Sequence, residues 1–305
     1  MSNVSTIKDT MIELTDNVSK LFNVPLDKAF IAATYILSLE KIPYFKNISE
    51  ENNKIIEDCF NKFKSTTYVG SEIRRAFSES YLMSLRDIEN YTVNVTLELP
   101  LIYLVSISDL LVSYMNFSDV NVLNASGNNG NLALALYLSE HINKTNLYVT
   151  VNSDDEYSVS NNLKILAHAD YTIDKNAPAL SYRCDLIVSD PFLRTPEDIL
   201  IFFEENLEYL NNNGFVVSVL PTQFVRSRLF SDMLEEHSLV LIGLVEYPSD
   251  LLEGLISSSI VILEKKVGTN KEFFASQMPS VSNIEENINV INEIKKYIKD
   301  YLEGN

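Results

Sequence analysis

Gly127 and Gly130 stand three positions apart in the run NVLNASGNNGNLALAL (Asn121–Leu136), between an apolar, strand-like segment and an Ala/Leu-rich, helix-like one. Glycine tolerates positive φ and lets a ligand come close to the main chain. A helix beginning near Asn131 aims its first unpaired amide donors into the loop. In open α/β sheets a ligand sits at this place, beyond the carboxyl end of a strand. The G-x-x-G spacing matches neither the G-x-G-x-x-G dinucleotide fingerprint nor the G-x-x-x-x-G-K-[ST] phosphate loop. A nucleoside cofactor without a phosphate chain suits it better, and a plain strand-to-helix turn is the competing reading.

Other chemistry is sparse. Cys59 and Cys184 are far apart and His141, His168 and His237 are scattered, so none shows metal-ligand or disulfide spacing, and both cysteines read as small buried hydrophobes. Lys and Arg number 24 against 42 Asp and Glu, a net charge of −18. Such a surface repels phosphate backbones, because DNA binding depends on Lys and Arg displacing counterions. Local exceptions are Arg74 and Arg75 in SEIRRAF, Arg194, and Arg226 with Arg228 in FVRSRLF, the last two either meeting an anionic ligand or offsetting nearby acid. The acidic runs at 154–156 and 235–236 read as solvated faces. No stretch approaches the roughly 18 apolar residues of a membrane span. The opening MSNVSTIKDTMIEL lacks the basic and apolar regions of a secretory signal, so a cytoplasmic, membrane-free protein is expected.

The elements that must position these residues fall into two textures. From Ser5 to about Leu110 apolar residues recur three and four apart, as in TMIELTDNVSKLF and DKAFIAATYILSL, which predicts helices. After Phe117, β-branched runs alternate with amphipathic ones. Strands are expected at 120–125, 146–151, weakly at 169–173, and at 184–189, 214–220, 239–247 and 258–266. Helices are expected at 131–141, 159–168, 196–211 and 227–237. This alternation predicts a mostly parallel sheet with helices on both faces. Ile284, Ile288, Ile291, Ile294, Ile298 and Leu302 form one stripe of a closing helix.

The order of several short motifs resembles the class I S-adenosylmethionine-dependent methyltransferases, in particular the adenine-N6 DNA methyltransferase-like family. VLNASGNNGNLALAL is similar to that family's first motif, roughly V-L-D-P-A-x-G-x-G-N-L-L, with Asn124 at its acidic position. VTVNSDDEYS follows, with Asn152 where the family places a ribose-binding acid and Asp154 and Asp155 just beyond. DLIVSDPFL offers Ser189-Asp190-Pro191-Phe192 against the N/D/S-P-P-Y/F/W tetrapeptide, Asp190 replacing a proline. LNNNGFVVSVLPTQFVRS and VEYPSDLLEGLISSSIVILEKK resemble the closing strands. Upstream, Thr96 and Pro100 are too far apart to match the family's T-P segment cleanly, so NVTLELPLIYLVSISDLL reads as packing.

The resemblance covers about Pro100 to Lys266. It implies a Rossmann-like α/β methyltransferase domain with a mostly parallel seven-stranded sheet at residues 100–305, preceded by an all-helical domain at 1–99. It implies S-adenosylmethionine as cofactor, held by Asn124, Ala125, Ser126, Gly127, Gly130, Asn131, Asn152 and Asp154. It implies methylation of an exocyclic amine, with Ser189 and the Asp190 carbonyl accepting amine hydrogens, Pro191 shaping the turn and Phe192 stacking on a flipped base. The alternative is a catalytically degenerate member of the fold that binds a ligand or a protein. The family implies a nucleic-acid partner and the net charge opposes one. The forty or so residues after Lys266 leave no room for a sequence-reading domain, and the N-terminal helices could serve a homodimer or another protein.

Overall fold

Aliphatic and β-branched runs after residue 119 form strands whose two faces are both covered, which is why several are apolar throughout. The strands are β1 (Asn121–Asn124), β2 (Asn146–Val151), β3 (Thr172–Lys175), β4 (Cys184–Ser189), β5 (Leu210–Pro221), β6 (Leu239–Glu246), β7 (Ser258–Lys265) and β8 (Phe274–Gln277). The helices are α1 (Asn3–Phe22), α2 (Leu26–Ser38), α3 (Glu50–Lys64), α4 (Gly70–Leu85), α5 (Glu98–Ser113), α6 (Asn131–Tyr137), α7 (Asp154–Leu166), α8 (Pro196–Leu207), α9 (Thr222–Val225), α10 (Arg228–Glu236) and α11 (Ile284–Glu303). The computed structural model describes residues 3–85, 95–115, 119–175, 183–191, 195–248, 251, 257–268 and 272–304.

The sheet order is β3-β2-β1-β4-β5-β7-β6-β8. β1 is parallel to β2 and β4, β4 to β5, and β6 to β8, whereas β7 is antiparallel to β5 and β6. The mostly parallel α/β sheet read from the sequence is therefore present, with eight strands rather than seven. The eighth, FASQ, has no apolar run to announce it and pairs with the open edge of β6, whose unsatisfied backbone groups accept a neighbour. Helix α8 stops at Leu207, and the chain enters β5 at Leu210 rather than at 214, so the expected end of that helix is strand.

Two compact units form, and neither is one continuous stretch: residues 1–95, 127–138 and 152–173 make the first, and 96–126, 139–151 and 174–305 the second. In the second, Leu123, Ile187, Val216, Leu220, Val261 and Leu263 of the sheet bury against Ile199 and Phe203 of α8 and Phe230 and Met233 of α10. Helix α5 packs on β4, β5 and α11, and the fully buried Tyr103 donates its hydroxyl to Asn287 Oδ1 at 3.0 Å. Of the isoleucine stripe on α11, Ile291, Ile294 and Ile298 are buried, while Ile284 is 71% and Ile288 52% exposed, so the first turns of that helix stand clear of the core.

The first unit is helical. Ser49 caps α3 by accepting from the Asn52 amide, and the acidic first turn and basic last turn of α3 match the helix dipole. Phe30 meets Phe77 and Tyr81 edge-on with ring centroids 5.3 Å apart in each pair. Leu134 of α6 and Val159, Leu163 and Leu166 of α7 belong to the same core. Helix α7 starts at Asp154, five residues before the sequence suggested, because Ser153 and Glu156 form a reciprocal cap: the Glu156 amide donates to Ser153 Oγ at 3.1 Å and the Asn152 amide to Glu156 Oε2 at 2.8 Å.

Helix α6 is preceded by an unusual turn. Gly127, Asn128, Asn129 and Gly130 all have positive φ, at 63, 48, 49 and 79°, and the Gly130 amide closes the turn on the Gly127 carbonyl at 2.8 Å. Glycine, and after it asparagine, are the residues that enter the left-handed region at least cost, which accounts for the composition GNNG. A Cβ on Gly130 would lie 3.0 Å from Ser160 Cα of α7. Gly130→Ala should therefore combine left-handed strain with a backbone clash and lower unfolding stability by about 2 kcal/mol or more, measured by urea denaturation; an unchanged midpoint would show that the turn relaxes freely.

Candidate functional site

The expected site residues divide between the two units. In the second, the carboxyl ends of β1 and β4 lie side by side, and the Ala125 amide donates to the Val188 carbonyl at 3.0 Å. Asn124 Oδ1 accepts from the Ser126 amide at 3.2 Å, a local turn that asparagine favours. Ser126 Oγ in turn accepts from the Asp190 amide at 3.0 Å. Asn124, Ala125, Ser126, Ser189 and Asp190 are thereby brought together, all buried. Pro191 follows, half-buried, and Phe192 lies outside the described residues, as does Arg194.

Ser189 and Asp190 differ in what they can offer. Ser189 is still in β4, paired with Ser218 of β5, and its hydroxyl donates to Ser218 Oγ at 2.8 Å with no exposure. Asp190 is the first residue past the strand and only 5% exposed. Burial pushes its carboxyl up to about 7, against a smaller downward pull from a hydrogen bond with the Thr96 side chain. Thr96, itself 2% exposed, lies in the stretch that the sequence reads as packing. The T-P pattern was its only signal, and the threonine alone carries the contact. Tyr247, just after β6, is a second omission: its hydroxyl is buried and its ionisation is opposed by burial and by the Asp190 charge.

In the first unit, Asn131 is fully buried at the start of α6, where its Oδ1 accepts from Ser78 Oγ at 2.7 Å and Arg74 Nη1 at 3.4 Å. Arg74 is thus an interior side chain rather than a surface cation. Arg75 pairs with Glu79 at 2.9 Å, and in the second unit Arg226 pairs with Glu246 and Arg228 with Asp232 at 3.6 Å. Asn152 and Asp154 are exposed just past β2, and Asp155 pairs with Lys28. Glu156 corrects the reading of the 154–156 run as solvated: it is 6% exposed because its carboxylate caps α7. Both cysteines are buried and free, with burial raising Cys59 to about 11 and Cys184 to about 12. Among the described residues no three His, Cys, Asp or Glu side chains gather as a metal site, and no helix is long and apolar enough to cross a membrane.

The sheet, its flanking helices and a polar edge beyond β1 and β4 define the class I S-adenosylmethionine-dependent methyltransferase fold. Among solved structures, a protein of Listeria monocytogenes proposed to be a class I S-adenosylmethionine-dependent methyltransferase superposes with a TM-score of 0.80, covering 97% of this chain and 98% of that one at 14% identity. The methyltransferase subunit of a type I restriction-modification system from Streptococcus thermophilus gives a TM-score of 0.63 over 93% of this chain and 72% of that one, at 13% identity. No protein-family model matches the chain, and no curated protein matches it. At such identities the likeness is one of fold.

The Asp190 carboxyl gives a signed stability prediction. Its folded value, about 7, lies above its unfolded one near 3.8. As pH rises from 4 to 7 the unfolded chain releases this proton while the folded chain holds it, so the group subtracts stability across that window and the full penalty remains above it. Asp190→Asn should be more stable than the wild type at pH 8, by on the order of 2–4 kcal/mol, and nearly equal at pH 4. Denaturant titrations at the two pH values decide it, and a variant weaker at pH 8 would mean the carboxylate is a stabilising anion.

Proposed function

We propose that this chain transfers a methyl group from S-adenosylmethionine to an exocyclic amine, with Asp190 as the group that accepts from that amine. The observation that carries this reading is a buried carboxyl, poised near neutrality, at the first position beyond β4. Read from Asp190, the run Asp190-Pro191-Phe192-Leu193 keeps an acid first and a proline second, while Ser189 is engaged within the sheet. The methyltransferase fold supports the same reading.

The residues present fit a cationic nucleoside cofactor. The GNNG turn of the first unit leaves Gly127 free of a side chain, and Asn152 and Asp154 of the same unit stand exposed with oxygen acceptors suited to ribose hydroxyls. Gly127, Asn152 and Asp154 would hold it. Bound there, S-adenosylmethionine supplies an electrophilic methyl group on a sulfonium. Gly130 is required by the approach of α7 whatever the ligand.

An exocyclic amine is a weak nucleophile because its lone pair is delocalised into the ring. Asp190, accepting one of its hydrogens, would favour the geometry in which the nitrogen lone pair is less delocalised and more nucleophilic. A methylated amine must lose a proton, and a carboxylate with a value near 7 would be matched to take it at neutral pH. Phe192, next but one along the chain, would stack on the ring that carries the amine. Of the five arginines that could have met phosphates, the four among the described residues each contact a partner within the chain, and the net charge is −18. We therefore assign the site to the amine-bearing ring and leave any polyanionic backbone to a basic partner.

Calorimetric titration with S-adenosylmethionine and S-adenosylhomocysteine should show low-micromolar binding that Gly127→Val abolishes and that Asn152→Ala, an exposed substitution that keeps the backbone amide bonded to Glu156, weakens. No heat up to millimolar ligand would overturn the proposal and leave a binding protein with a methyltransferase fold. Asp190→Asn should retain S-adenosylhomocysteine binding while transfer to adenine-containing acceptors falls by about a hundredfold or more. The wild-type rate should climb with pH toward a plateau above about 7.

A further inference from the structure

Tyr247 follows β6 and Asp190 follows β4. Since β4 is parallel to β5, and β7 is antiparallel to both β5 and β6, β4 and β6 run the same way and both residues lie at the carboxyl edge of the second unit's sheet. The Tyr247 backbone is fixed there by its amide, which donates to the Ser258 carbonyl at 2.9 Å. Its hydroxyl oxygen is out of reach of solvent and has no hydrogen-bond partner among the described residues. A buried phenol normally finds a partner, because its donor is costly to leave unmade. Burial and the nearby Asp190 charge both oppose ionisation, so this hydroxyl keeps its proton and is available to donate.

A proton donor with no partner among the described residues thus stands at the same sheet edge as the carboxyl assigned to accept from the substrate amine, with β5 and β7 between their strands. We infer that Tyr247 is a specificity-determining residue, donating its hydroxyl proton to the ring nitrogen beside the exocyclic amine while Asp190 accepts from the amine itself. The inference rests on the reading of Asp190 given above. It names the substrate class as amino-heterocycles that present an amine next to an unprotonated ring nitrogen, the edge shared by adenine and cytosine and read by hydrogen bonds when such a base is held out of a stack. A ring with the amine but without that nitrogen would leave the phenol unpaired and be rejected.

The full-length protein and Tyr247→Phe are titrated with two nucleoside pairs, adenosine against 1-deazaadenosine and cytidine against 3-deazacytidine, with and without S-adenosylhomocysteine. In at least one pair the parent should bind the wild type about tenfold tighter than its deaza analogue, and Tyr247→Phe should bring that ratio close to one. Because the hydroxyl is unpaired before ligand binds, Tyr247→Phe should melt no lower than the wild type. Equal binding within both pairs, a ratio that survives in Tyr247→Phe, binding of none of the four nucleosides, or a lower melting temperature for the variant would each overturn the inference. Binding of S-adenosylhomocysteine is read in the same titrations: its loss alone overturns the cofactor reading, while the nucleoside ratios still decide Tyr247.

Discussion

The constraint on which the first unit depends is the run of four left-handed residues from Gly127 to Gly130. It closes one tight turn and starts α6 at Asn131, where the buried side chain meets Ser78 and Arg74 of α4. The bare Cα of Gly130 lets α7 come so close that an added Cβ would lie 3.0 Å from Ser160 Cα. With α6 and α7 so placed, Leu134, Val159, Leu163 and Leu166 complete a core that the N-terminal helices share. Side chains with a branched Cβ would be strained at every one of these four positions, so the turn explains its own composition before any ligand is considered.

The second unit is governed by how polar groups are satisfied at the edge of a buried sheet. Asn124 holds the Ser126 amide, Ser126 Oγ holds the Asp190 amide, and Ser189 is tied to Ser218 across two strands. Each bond uses a short neutral side chain, which orders the strand ends without placing a charge in the interior. Asp190 is the exception. Its carboxyl is buried with a hydroxyl partner in Thr96, and the unfavourable ionisation that results is the kind of local cost that active sites retain. Tyr247 adds a second such cost in its unpaired hydroxyl.

Amides stand at Asn124 and Asn152, where the resembling family carries acids. Asp154 lies beside Asn152 past β2, whereas the carboxylate of Glu156 is committed to capping α7.

Much of this was legible in the residues. The change from helical to alternating texture, the mostly parallel sheet and the special turn at Gly127–Gly130 all rest on local periodicity and on the φ tolerance of glycine and asparagine, properties that neighbours in sequence carry by themselves. The strand FASQ was not legible, because it is held by an open edge rather than by its own pattern. Nor could the sequence show that Arg74 is interior, that Glu156 of an acidic run is buried while Asp154 is not, or that Asp190 rather than Ser189 leaves the strand. Beyond an imperfect T-P pattern it gave no sign that Thr96, more than ninety residues earlier in the chain, bonds to that carboxyl, or that its charge bears on Tyr247, nearly sixty residues later. Local conformation follows from each residue's own sterics, whereas the ionisation of a carboxyl and the pairing of a hydroxyl depend on desolvation and on groups that only the folded chain brings near.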